Sequence, residues 1–164
     1  MDGLKQRLTY LRNREGLAAL ALTVLFIERW YSSGDQIAWG LRLTALFALI
    51  YILVQGTLYW HFKLRCVVAR QPLPTYFSSL FNAFKWSNVL CIGAALVALV
   101  VASRSTASPA DLGWAAGMIA GAVLEQINYY HYQLMYDTRA ALAYLRRNRK
   151  LRTAALGLDI ARSR

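Results

Sequence analysis

Acidic residues are scarce in this chain. Eight Asp and Glu stand against nineteen Lys and Arg, and charged residues make up only 16% of 164 positions, where a soluble domain carries nearer ~25%. Prolines number three and cysteines two. Cys66 and Cys91 form no CxxC pair, so a thiol redox enzyme has no basis here. Cys66 is expected at a reducing surface and Cys91 within an apolar helix, so a disulfide between them is not expected. HExxH, GxSxG, a P-loop and GxGxxG are all missing, which leaves no signature for metalloprotease, serine hydrolase, nucleotide or dinucleotide chemistry. No metal site is expected. Paired carboxylates for acid–base catalysis are not expected either, because Glu125 alone falls deep in an apolar segment. The sequence carries no positive sign of an enzyme.

What is present is apolar sequence in long blocks, 57% hydrophobic overall. A helix needs roughly 20 apolar residues to cross a ~30 Å hydrocarbon layer. Segments near 11–31, 41–62, 84–102 and 112–135 approach that length. The first has its uninterrupted apolar stretch only over Leu17 to Ile27. A cleaved signal peptide would suit its basic start, but Glu28, Arg29, Trp30 and Tyr31 stand where a small-x-small site would be needed. A retained helix is therefore expected. The expected fold is an all-α membrane protein: four transmembrane helices in an antiparallel bundle over 1–137, followed by a basic cytoplasmic surface helix or tail over 138–164.

Charge gives the orientation. Lys5, Arg7, Arg12 and Arg14 precede the first segment, and Lys63, Arg65, Arg70 and Lys85 surround the second connection. Eight further cations follow the fourth segment, from Arg139 to Arg164. Arg29, Arg42 and Arg104 fall at the opposite side, beside Glu28, Asp35 and Asp111. Basic flanks are retained in the cytoplasm, so both termini are expected inside, in a bacterial-type inner membrane. The net charge of +11 then reflects topology and anionic lipid headgroups, with no need of nucleic acid.

Local chemistry places the connections. Residues 32–40 (SSGDQIAWG) make a short outer turn, with Trp30, Tyr31 and Trp39 set like an interfacial aromatic belt. Pro72 and Pro74 oppose a continuing helix over 70–76. In the second outer loop, 103–111, Ser108-Pro109 suits a helix start. Asp137 is an N-cap candidate for the basic tail. There Leu142, Leu145, Leu151, Ala155 and Leu158 recur at a rough helical spacing, and Gly157 weakens the last turn.

The fourth segment holds the candidate site, GAVLEQINYYHYQLMYD. With ~100° per residue, Gly113, Gly117, Gly121, Leu124, Asn128, His131, Tyr132 and Met135 share one face, with Glu125 at its margin. Two overlapping GxxxG units on that face favour close helix packing. The opposite face carries Gln126, Tyr130 and Gln133. Amides facing lipid are costly, which predicts cover by an external partner: a second copy of the chain or another membrane subunit. Glu125, Lys85, Asn88, Asn128, Tyr132 and Gln55 form the expected inward-facing ligand- or proton-binding cluster. In it Glu125 is protonated, hydrated or paired, with Lys85 as the obvious partner. His61 and His131 are candidate ligands for a haem or chlorophyll-type pigment. The bland reading makes them interfacial residues beside a tyrosine belt, and makes Glu125–Lys85 a structural pair. Three functions stand in order: a non-catalytic accessory or assembly subunit, a solute or proton transporter titrating at Glu125, and a pigment-binding subunit.

Overall fold

Helix formation follows the apolar blocks but overruns them at one end of the molecule. The computed structural model describes residues 2–33, 37–105, 107–135 and 139–163, with 139–141 described for backbone only. Asp137, the N-cap candidate, lies outside the described residues, as does part of each outer loop. Six α-helices are present and no strand among the described residues: α1 (Asp2–Tyr31), α2 (Trp39–Ala69), α3 (Phe77–Ser103), α4 (Pro109–Tyr130), α5 (Arg139–Asn148) and α6 (Ala155–Arg162). α1 begins near the N-terminus instead of at 11, α2 continues from 62 to 69, and α3 starts at 77 instead of 84. These extensions all lie at the end where the basic residues gather, here called the basic end.

Two of the helices, α2 and α3, are long and apolar enough to cross a membrane. The first half of α1 is too polar, with Lys5, Arg7, Arg12, Arg14 and Glu15, and α4 is diluted by Glu125, Gln126 and Asn128. At ~1.5 Å per residue the 31 residues of α2 extend about 46 Å, well beyond a ~30 Å apolar layer.

The punctuation falls where local chemistry sets it. α2 ends on Arg70 in the left-handed conformation (φ 53°), its amide donating to the Cys66 carbonyl, and Pro72 and Pro74 follow. α4 begins with a complete capping box: Ser108 Oγ accepts from the Asp111 amide at 3.1 Å, and Asp111 Oδ2 accepts from the Ser108 amide at 3.3 Å. Pro109 occupies the first turn, where its missing N–H costs nothing.

α2 is the hub. It packs antiparallel to α1 on one side and against α3 and α4 on the other, while α3 and α4 also pack together. Alanines allow the close approach: Ala45 and Ala48 on α2, Ala95 on α3, Ala115 and Ala122 on α4 are all essentially inaccessible. α1 meets α4 through Phe26 and Trp30, whose rings lie 5.3 and 6.0 Å from that of Trp114. Trp30 is thus a buried core residue, 1% exposed, and not part of an interfacial belt.

Past α4 the structure departs furthest from expectation. The chain leaves the helix at Tyr130, five residues short of 135, because Tyr132 turns to form an isolated antiparallel bridge with Thr153. The basic tail is not one surface helix. α5 stops at Arg149, a left-handed residue (φ 49°), and an extended link follows. Gln133 donates to the Arg152 carbonyl at 2.8 Å, and the Ala154 amide to the His131 carbonyl at 3.1 Å. α6 then closes the basic end of the bundle, contacting α3 and α4. Leu156 and Ile160 are buried. Asp159 accepts from the Tyr59 hydroxyl at 2.7 Å and pairs with Lys63 Nζ at 2.9 Å. Gly157 has a use beyond weakening a turn, since a Cβ there would stand 2.8 Å from the Tyr130 carbonyl oxygen.

Candidate functional site

The expected cluster divides into two places. Gln55 of α2 and Asn88 of α3 meet in the core with Gln126 and Tyr130 of α4. Gln55 Nε2 donates to Asn88 Oδ1 at 2.7 Å. Asn88 Nδ2 donates to both Gln55 Oε1 and Gln126 Oε1, each at 2.9 Å. Gln126 Nε2 reaches the Lys85 carbonyl at 3.2 Å, and the Tyr130 hydroxyl donates to Gln55 Oε1 at 3.0 Å. Asn88 is wholly inaccessible, and Gln55, Gln126 and Tyr130 are buried. Amides in such a place must find partners or leave a costly unsatisfied group. Here they find one another, and no charge enters the network.

α4 is therefore rotated half a turn from the packing face expected of it. Its buried positions include Ala115, Ile119, Ala122, Gln126 and Tyr130, so Gln126 and Tyr130 need no external cover. Gly113 and Gly117 meet nothing within 4 Å, while a Cβ on Gly121 would make ordinary contact with Leu49 at 3.4 Å. The two open glycines line a cavity of about 480 Å³ with Phe26, Leu49, Trp114 and Met118. Close approach occurs instead at Gly56, where a Cβ would overlap the Tyr129 hydroxyl.

Glu125 and Asn128 face the seam between α4 and α1. Asn128 donates to Glu125 Oε2 at 3.2 Å and accepts from the Leu134 amide at 2.9 Å, which anchors the turn after α4. The Glu15 carboxylate of α1 lies close to the Tyr129 hydroxyl and near enough to Glu125 for the two charges to repel. Both carboxylates are half-buried, one on each helix. Glu15 is a residue that sequence reasoning passed over; its one signal was an acid at the close of the basic run from Lys5 to Arg14. Lys85 does not pair with Glu125. It lies near His131 at the basic end. Gln133 donates its side chain to the Met135 carbonyl at 2.8 Å, and Tyr132 is half-exposed.

His61 and His131 make no hydrogen bond or ring contact with each other. Among the described residues, no group of three His, Cys, Asp or Glu gathers as a metal site.

Comparison with protein families, curated proteins and solved structures finds no match.

At the opposite end Arg42 Nε meets Asp111 Oδ1 at 2.6 Å, with the two side chains 6% and 2% exposed. The Arg42 guanidinium also lies 5.3 Å over the Trp30 ring, and the Ala38 amide approaches the same carboxylate at 3.3 Å. This clamp ties the start of α2 to the start of α4. The sequence offered only that Arg42 and Asp111 share one side of the molecule.

A second concave feature sits at the basic end. A cavity of about 570 Å³ opens between the first half of α1, the end of α4 and the segment entering α6. Arg7, Arg14 and Arg152 stand in its lining with Glu15, Tyr59, Trp60 and Tyr129, among leucines of α1 and α6.

Proposed function

We propose that this is an integral membrane protein of four spans with both termini cytoplasmic, acting as a non-catalytic accessory or assembly subunit in a larger membrane complex or in a homo-oligomer. One observation carries the reading. The apolar window of α3 is only 17% buried within the chain, with Leu90, Val97 and Val101 exposed at 73, 63 and 63%. Leu17, Leu20 and Leu25 of α1 are similarly bare. An apolar surface of that extent needs lipid or protein against it. The central polar groups meanwhile satisfy one another, which supports a rigid body without reactive chemistry at its centre. The basic residues gathered at one end support the orientation.

Extraction from native membrane in mild detergent, followed by sizing and mass spectrometry, tests this. The expected product is an assembly larger than one copy, containing either further copies or a defined second subunit. A lone monomer would overturn the accessory reading. Recovery without detergent would overturn the membrane reading itself.

A second reading, transport of a proton or small solute, draws on Glu15 and Glu125 lying near Tyr129. It predicts that Glu125→Gln abolishes a flux measurable across proteoliposomes of the intact protein; equal flux in both removes its support.

A further inference from the structure

We infer that the basic-end cavity binds the headgroup of an anionic phospholipid from the inner leaflet. The inference rests on the membrane orientation proposed above, which sets this end at the cytoplasmic headgroup level.

Four observations converge. The cavity, about 570 Å³, holds a headgroup with the first methylenes of its chains. Arg7 and Arg14 are exposed on its lining and engaged by no hydrogen bond or ion pair among the described residues. Guanidinium groups match phosphate oxygens by charge and by their fork of donors. One buried donor without a partner among the described residues, Trp60 Nε1, belongs to a residue of this same wall. A buried donor left without an acceptor is uncommon, and a phosphate or ester oxygen would supply one. The remaining wall is apolar, with Leu4, Leu8 and Leu11 of α1, as acyl chains require. Glu15, lower on the same wall, repels a second phosphate but accepts from a hydroxyl. A phosphoglycerol headgroup therefore fits better than a bare phosphomonoester.

The test uses the full chain in phosphatidylcholine nanodiscs containing brominated phosphatidylglycerol, with tryptophan fluorescence as the readout and Trp60→Phe to isolate the Trp60 signal. Trp60 is expected to be quenched in a saturable manner by the brominated anionic lipid, and by brominated phosphatidylcholine only in proportion to its amount. The Arg7→Ala/Arg14→Ala double variant should raise the half-quenching lipid fraction about thirtyfold, since two basic groups near the surface together contribute about 2 kcal/mol. Retention of phosphatidylglycerol in native mass spectra of the wild-type chain gives a second readout that needs no variant to fold. Equal quenching by the two lipids, or no response to loss of both arginines, would overturn the site. Displacement by millimolar inorganic phosphate would identify a soluble anion as the ligand and overturn the lipid assignment. A chain that enters nanodiscs yet shows no preference loses this site alone, whereas one that never enters them loses the membrane reading.

Discussion

Asp111→Ala is expected to destabilise the protein by about 3–5 kcal/mol, the usual consequence of removing one member of a buried ion pair. The loss has two sources. Arg42 would be left charged and 5% exposed above the Trp30 ring. The start of α4 would also lose the carboxylate that completes its capping box with Ser108. Ser108→Ala separates them, since a lost cap alone costs about 1 kcal/mol. The measurement is thermal unfolding in mild detergent. Adding Arg42→Met to Asp111→Ala should recover part of the loss, because the stranded charge goes too. A double variant no better than Asp111→Ala would mean that the pair contributes little and that the cap dominates.

The second large effect belongs to the amide network. Asn88→Leu removes three side-chain hydrogen bonds at once and strands the ends of Gln55 and Gln126 in a dry interior, at an expected loss of about 2–4 kcal/mol. Leucine is close to asparagine in length and apolar, so packing suffers less than polar satisfaction does. Replacing Gln55, Asn88 and Gln126 by leucine together with Tyr130→Phe should be milder than Asn88→Leu alone, since no partner is then orphaned. If Asn88→Leu unfolds at the wild-type temperature, the network is dispensable and α4 is held by its alanine contacts.

Much of the fold could be read from local chemistry. Pro72 and Pro74 end one helical pair and Ser108-Pro109 starts the last long helix, because proline geometry and capping act within a few residues. The rotation of α4 could not be read in this way. Gly113, Gly117 and Gly121 lie half a turn from Ala115, Ala122 and Gln126, and both faces are small enough to pack. Only Asn88, arriving from α3, selects the second. Gln126 and Tyr130 therefore looked like evidence for an outside partner, when their partners were inside the chain. The tail misled for a different reason. Its break comes at Arg149, with no glycine or proline to announce it, and a left-handed residue followed by an extended link shifts the helical phase. Leu156 and Ile160 became the buried positions while Leu151 and Leu158 stayed exposed. Within the site, Gln55 and Asn88 were legible as deep polar groups. The approach of Glu15 to Glu125 was not, because it depends on how far α1 extends past its apolar stretch.

The placement of the network across three helices bears on the order in which the chain is made. Gln55 emerges with α2, well before anything can answer it. Asn88 follows with α3, and Gln126 and Tyr130 come only with α4. On the four-span reading, Gln55 stays unanswered until α3 brings Asn88, and the network is completed only when the last span supplies Gln126 and Tyr130. A chain halted before α4 would keep Gln55 and Asn88 only partly matched, which marks it chemically as unfinished to any membrane quality-control machinery that senses polar groups in lipid.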